Sequence, residues 1–304
     1  MNSKEITNNF LNLYWARPEV VVWRVLDVLQ MQEIDFKKPA LDLGCGDGTF
    51  MFTLLGGKTD SNFDVYKTIS NTNKFWKNND IHNQKSDYKP KILRKTNRTV
   101  NYGLDLKFNL LDKAKKLNFY KKLIQHDLNK PIPMESSSLN SIFSNVFYWI
   151  DNLEFLIKEC HRILKPGGKL IVCVPNNLFK KNLIFNQYLM KKQEWAKELD
   201  RGIYANISKH CYSFSKWKSL FSKVGFKVEN HSNYLSEDLI KFWSIGFRPY
   251  SPYFIEMANS LDSKTRKKIK EKLVKEIVPI IDSYVNYELS SNKKKCFHLL
   301  VLKK

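Results

Sequence analysis

Residues Leu41 to Gly48 read Leu-Asp-Leu-Gly-Cys-Gly-Asp-Gly, a glycine-dense turn between a short apolar run (Pro39 to Leu43) and a helix-like stretch (Thr49 to Leu55). Glycines at 44, 46 and 48 remove side chains where a chain passes from strand to helix, so a ligand can lie against bare backbone. The spacing also constrains which ligand. A dinucleotide fingerprint would place glycines at 44, 46 and 49 and seat a pyrophosphate on the helix N-terminus, but position 49 is Thr. Asp42, two residues before the first glycine, repels an anion and attracts an ammonium group.

Further parts follow in order. Asp105 ends an apolar segment (Val100, Tyr102, Leu104) and precedes a helical stretch, Asn109 to Leu117; a carboxylate at a strand tip can accept both hydroxyls of a ribose. A third apolar patch (Leu123, Ile124) is followed by His126-Asp127-Leu128 and Pro131-Ile132-Pro133. Leu139 to Ile150 reads as a fourth strand running into its loop. Asn152 to Leu164 reads as a helix closed by Pro166, Gly167 and Gly168, and Lys169 to Val174 as a buried parallel strand. Phe214 to Gly225 forms an amphipathic helix pattern, and Phe297 to Leu302 a last apolar strand.

In this order the segments resemble the class I S-adenosylmethionine-dependent methyltransferases, over Pro39 to Leu55, Val100 to Pro175, Ser213 to Glu229 and the final strand. The resemblance implies an α/β, doubly wound, Rossmann-like fold: a mostly parallel seven-stranded sheet with an antiparallel last strand and an inserted helical cap. It implies S-adenosylmethionine as cofactor, a sulfonium nucleoside with an ammonium group and no phosphate. Its partners would be Asp42, Gly44, Cys45, Gly46 and Gly48 in the loop, and Asp105 and Leu106 at the ribose. Asp127 would take the adenine amino group, the backbone N–H of Leu128 would reach the ring, and Asn145 would complete the set.

The 304 residues fit one domain enlarged by insertions. Its core would span 34–175, 213–231 and 295–304, with an N-terminal helical lid (1–33), a loop insertion (56–99) and cap insertions (176–212 and 232–294). The 51 Lys+Arg against 30 Asp+Glu give a net charge of +21, which raises nucleic acid or an anionic membrane as partners. The lysines are dispersed and travel with Asn and Ile, so the charge alone assigns neither. No apolar run is long enough to cross a bilayer, and Met1 to Phe10 is polar without a signal-peptide core, so a cytoplasmic protein is expected; Lys241 to Phe254 is a candidate for peripheral membrane contact. Five scattered cysteines (45, 160, 173, 211, 296) fit reduced thiols, and no residue cluster has metal-ligand spacing.

The departures from a minimal methyltransferase are where substrate choice is expected. Tyr14, Trp15 and Arg17 precede an apolar-rich helix (Val20, Val21, Trp23, Val25, Leu26, Leu29) that Pro18 can begin. They either line the acceptor site as part of a lid or pack that helix on the sheet. Residues 56–99 read mostly as a solvated loop, ordered around Phe63, Val65 and Tyr66 or Phe75 and Trp76. The cap insertions carry aromatics, among them Phe185, Trp195, Tyr204, Trp243 and Phe247, and a helix from about 263 to 289 with Ile269, Leu273, Ile277, Ile281 and Val285 on one face.

Methyl transfer asks the protein mainly for alignment and desolvation. A hydroxyl acceptor also needs a base, for which His210, Tyr148 and Asn145 are candidates, His210 also being readable as a structural hydrogen bonder. His126 would be cofactor-side and His161 surface or packing. DNA and some RNA amino-methylating enzymes carry an Asn/Asp-Pro-Pro-aromatic tetrad after the fourth strand. Here that position reads Ser-Asn-Val-Phe-Tyr-Trp (144–149), as in small-molecule enzymes acting on malonyl-carrier thioesters or quinone precursors, with Tyr148 and Trp149 facing the acceptor. The leading expectation is O-methylation of a planar, lipid-like or sugar-containing small molecule. An RNA (tRNA or rRNA) methyltransferase and a non-catalytic scaffold are the alternatives.

Overall fold

The computed structural model describes residues 1–69, 83–184, 186, 188, 191–196, 208–245 and 250–304. Phe75, Trp76, Phe185, Tyr204 and Phe247, considered above, lie outside them. A seven-stranded sheet has the order β5-β4-β1-β6-β7-β9-β8. Its strands are β1 (Ala40–Leu43), β4 (Val100–Asp105), β5 (Tyr120–Gln125), β6 (Leu139–Ser144), β7 (Leu164–Pro175), β8 (Lys227–Ser236) and β9 (Lys295–Lys303). β1 pairs in parallel with β4 and β6, β4 with β5, and β6 with β7. Only β9 is reversed, running antiparallel to both β7 and β8. From β1 the chain winds outward to β5 and then returns to start β6 on the other side of β1. The crevice at the C-terminal end of β1 is therefore the switch point where open α/β sheets bind ligands.

Burial on both faces explains why the central strands are apolar throughout. Successive residues point to opposite faces: Ile142, Leu170, Val172 and Val174 join one core, while Phe143, Ile171 and Cys173 join the other. The first core is closed by α5 (Leu153–Ile163), through Leu156, Ile157 and Cys160, and by α7 (Phe214–Ser222), through Trp217 and Phe221. The second holds α1 (Ser3–Tyr14), α2 (Pro18–Met31), α8 (Glu237–Ile245) and α10 (Ser263–Ser290). Pro18 opens α2, where its missing N–H leaves no helical bond unmade. Shorter helices are α3 (Thr49–Leu54), α4 (Phe108–Lys115), α6 (Asn177–Asn182) and α9 (Ser251–Ser260).

Three expectations change. β8 runs on to Ser236, so residues 232–236 belong to the sheet and not to the second cap insertion. Residues 56–69 are ordered beyond the expected Phe63, Val65 and Tyr66, which are buried: Lys58–Thr59 (β2) also pairs with Ile92–Arg94 (β3). The long helix α10 buries more than the expected face. Ile281 and Val285 are buried and Leu273 and Ile277 pack against the same core, but Arg266, Lys270, Val274 and Val278 are buried as well, and Ile269 is 45% exposed.

The added buried residues near the start of α10 belong to a charge cluster. Asp64 accepts two hydrogen bonds from the Arg266 guanidinium (2.8 and 3.0 Å), one from Lys270 Nζ (3.3 Å) and one from Trp15 Nε1 (3.1 Å). It also caps a 3₁₀ turn through the Tyr66 and Lys67 amides. Burial alone would push the Asp64 carboxyl up, but the Arg266 hydrogen bonds and the Lys270 charge outweigh it and hold it below its ordinary value. Burial in turn lowers Lys270 to about 8. One carboxylate thus ties the 56–69 segment, α1 and α10 together. Removing it strands two buried cations, so Asp64→Ala should lower the unfolding free energy by about 3–5 kcal/mol, read as a shifted midpoint in urea denaturation; a loss under about 1 kcal/mol would show the cluster to be incidental.

Candidate active site

The glycine turn is fastened to the tip of β4. The N–H groups of Gly44 and Cys45 both donate to the Leu104 carbonyl (2.8 and 2.9 Å), and Gly46 N–H donates to Asp105 Oδ2 (2.9 Å). Three successive loop amides therefore face the neighbouring strand and not an anion. The start of α3 is closed as well, because Asp47 Oδ1 accepts from both the amide and the hydroxyl of Thr49 (3.1 and 2.7 Å). A phosphate on this helix N-terminus would meet a carboxylate, which removes the dinucleotide reading.

What remains is bare backbone beside acids. Gly44 (φ +82°) has no room for a side chain, since a Cβ would lie 2.5 Å from Val146. Gly46 (φ +56°) faces open space, with no protein atom within 4 Å of where its Cβ would be, and that space can be filled by a ligand. Asp42 is buried and accepts a hydrogen bond from the Tyr120 hydroxyl. Burial raises its carboxyl to about 7, with Asp105 adding to the rise and Tyr120 opposing it. Asp105 Oδ1 takes the Lys107 amide (2.9 Å), so each of its oxygens keeps one lone pair for a further donor.

A cavity of about 360 Å³ runs from this turn, past Asn145, to a second set of side chains. Its walls include Trp23, Phe50, Phe143, Tyr148, Trp243 and Phe297. At the far end Asp27 Oδ1 accepts from the Tyr234 hydroxyl (2.9 Å) and Oδ2 from Arg24 Nη1 (3.3 Å). The Arg24 guanidinium lies 5.3 Å above the Phe50 ring. Burial raises Asp27 to about 6, against the opposing pull of Arg24 and Tyr234. Sequence reading passed over Arg24 and Asp27 on the apolar helix α2. The signal was present: a charged pair three residues apart, among valines and leucines, has no solvated face to occupy.

Of the residues expected from sequence, Asp42, Gly44, Cys45, Gly46, Asp105, Asn145, Tyr14, Tyr148 and Trp149 line this cavity. Tyr14 adds a 3.4 Å contact from its hydroxyl to Thr49. Others do not. Trp15 faces away, in the Asp64 cluster, because its indole N–H is bonded there. Arg17 pairs with the buried Glu19 (2.8 Å). Gly48 packs on Tyr120 and Ala114. Asp127 folds back on Asn129, whose amide and side chain both donate to it at 3.0 Å and hold its carboxyl below the usual range. The Leu128 side chain sits in the sheet core, and Leu106 is exposed beside Asp105. His210 lies outside the cavity lining and takes the structural hydrogen-bonding arrangement. Its Nε2 meets the Ile150 carbonyl and its Nδ1 the Tyr212 hydroxyl, both at 2.8 Å, so neither ring nitrogen is left to serve as a base.

A family model described as a methyltransferase domain matches residues 88–172. Together with the glycine turn at β1 and the carboxylate at the tip of β4, this match places a methyltransferase domain in the chain. The family match begins beyond the 56–87 part of the insertion, which separates the methyltransferase's glycine turn from the rest of the family pattern. A malonyl-[acyl-carrier protein] O-methyltransferase of Hamiltonella defensa is 26% identical over 145 residues, 47% of this chain and 40% of that protein. Malonyl-[acyl-carrier protein] O-methyltransferase 1 of Coxiella burnetii is 46% identical over 41 residues, 13% of this chain and 14% of that protein. The chain thus spans less than half the length of the curated relatives it matches. A solved S-adenosylmethionine-dependent methyltransferase of Mesorhizobium loti is 14% identical, with a TM-score of 0.45 over 91% of this chain and 96% of that one.

The residues of the glycine turn are chemically suited to S-adenosylmethionine: the open backbone at Gly46 could receive it, each Asp105 oxygen keeps a lone pair that would accept from a ribose hydroxyl, and Asp42 would attract the ammonium group. Only ionised Asp42 attracts that group, and its carboxyl titrates at about 7, so affinity should grow as pH rises. Calorimetry should show S-adenosylmethionine binding tightening about tenfold between about pH 5.5 and 7, with a flat profile for Asp42→Asn. A flat wild-type profile would remove Asp42 as the ammonium partner.

Proposed function

We propose that this protein transfers a methyl group from S-adenosylmethionine to an oxygen of a small, planar acceptor. The observation that carries the reading is one continuous cavity, with the bare glycine turn at one end and an aromatic-walled pocket holding Arg24 and Asp27 at the other. The sulfonium supplies an already activated methyl carbon, so the protein's task is to align the acceptor and exclude water. Trp23, Phe143, Tyr148 and Phe297 offer flat apolar surfaces for a ring. The two N-terminal helices act as a lid in this reading, since α2 contributes Trp23, Arg24 and Asp27 to the wall. Oxygen as the methylated atom agrees with what the names of the Hamiltonella and Coxiella relatives say of those proteins.

Asp105→Ala and Gly46→Val should each abolish calorimetric binding of S-adenosylmethionine while leaving the circular dichroism spectrum unchanged. The first removes the acceptor for the ribose hydroxyls. The second strains a left-handed residue and fills the open space beside it. Unaltered affinity in both variants would defeat the proposal. The +21 charge keeps an RNA acceptor as the competing reading, and it would show as RNA affinity that falls steeply with salt yet persists at physiological ionic strength.

A further inference from the structure

The far end of the cavity is built around a carboxylate. Asp27 is 4% exposed yet lines the cavity, with Tyr234 donating to Oδ1, Arg24 to Oδ2 and the Trp23 indole as a further donor to the carboxylate. A carboxylate has about four lone-pair sites, so one is left for a ligand. Arg24 gives one of its five N–H groups to Asp27, and its guanidinium lines the same cavity. A ligand hydroxyl placed here meets a proton acceptor and a fixed positive charge together.

The other ionisable groups that line the cavity are unsuited to receive a proton. Asp42 and Asp105 stand at the glycine turn, and Asp47 caps α3. Burial pushes Tyr148 up to about 12 and drives the Cys173 thiol up as well. We propose that Asp27 is the proton acceptor for a phenolic or enolic hydroxyl of the acceptor, with Tyr234 and Arg24 holding its carboxylate in position. The O–H bond breaks, its proton passes to Asp27, and its electron pair stays on oxygen as an anion beside Arg24. An aliphatic hydroxyl is far too weak an acid for a carboxylate to deprotonate. A phenol, at about 10, lies within reach of a carboxyl at about 6, and its ring matches the aromatic walls. The inference rests on reading the cavity as the acceptor site.

The groups facing Asp27 are Arg24 and Trp23 from α2, Tyr234 from β8, Cys173 from β7 and Tyr148 from the turn after β6. Among them only Asp27 changes charge between about pH 5 and 7.5, and phenol itself stays neutral there. Phenol should therefore bind the cofactor-free wild-type protein up to about tenfold more tightly at pH 7 than at pH 5, while anisole, which has no proton to give, binds equally at both. Asp27→Asn should flatten the phenol profile. Tyr234→Phe, which removes a donor to the charged form, should move its midpoint upward. If Asp27→Asn does not fold, the ¹³C carboxyl titration of wild-type Asp27 gives the same test: saturating phenol should lower its midpoint. No phenol binding, a flat wild-type profile, an unchanged profile in Asp27→Asn or an unmoved carboxyl midpoint would overturn the proposal. S-adenosylmethionine titrations of the same samples separate the two ideas. Loss of cofactor binding by the wild type defeats the function proposed above and leaves the phenol result standing.

Discussion

The hydrogen bond from the Gly46 amide to Asp105 joins the loop after β1 to the tip of β4, and the rest of the site depends on it. A glycine turn without an anchor would be a flexible surface loop. Here the Leu104 carbonyl and the Asp105 carboxylate take three consecutive amides, and the parallel pairing of Leu43 with Leu104 brings them into reach. The same bonds decide the chemistry. Amides turned toward a strand cannot cradle a phosphate, and Asp47 closes the helix end, so the crevice suits a cationic, phosphate-free nucleoside.

Two buried ionic groups give the molecule its departures from the bare fold. Burying charge is costly unless each charge is paired and hydrogen-bonded, and both groups meet that condition, the first by ion pairs between distant segments and the second by a pair within α2 that a distant hydroxyl completes. Asp64, Arg266 and Lys270 bind the insertion after β2 to α10. Asp27, Arg24 and Tyr234 bind α2 to β8 across the cavity. The first group lies away from the cavity and holds the N-terminal and C-terminal additions in place. The second lines the cavity, where the same desolvation that makes a charge expensive raises a carboxyl toward neutrality.

The parts legible in sequence are those fixed by local rules. Glycine spacing at 44–48 and Asp105 at the end of an apolar run each mark a place where backbone geometry admits few alternatives, and the elements there end within a residue or two of expectation, whereas Pro166, Gly167 and Gly168 lie inside β7, which begins at Leu164 and not at Lys169. His210 and Asp127 illustrate the limit. Both residue types suit the chemistry assigned to them, but Tyr212 and Ile150 take up both ring nitrogens of His210, and Asp127 lies outside the cavity lining with one of its oxygens bonded to Asn129. Such bonds depend on how neighbouring segments fold back, which residue identity does not encode.

Sequence by itself determined the order of strands and helices and the cofactor loop, because strand-to-helix turns and apolar periodicity act over a few residues. Only the tertiary structure decided how much of α10 is buried, where the sheet gives way to the cap after Ser236, and which acids face the cavity. Those outcomes depend on buried carboxylates meeting partners about two hundred residues away, Asp64 with the Arg266 guanidinium and Asp27 with the Tyr234 hydroxyl. The free energy of burying a charge depends on the partner it meets, and that partner exists only once the chain has closed around it.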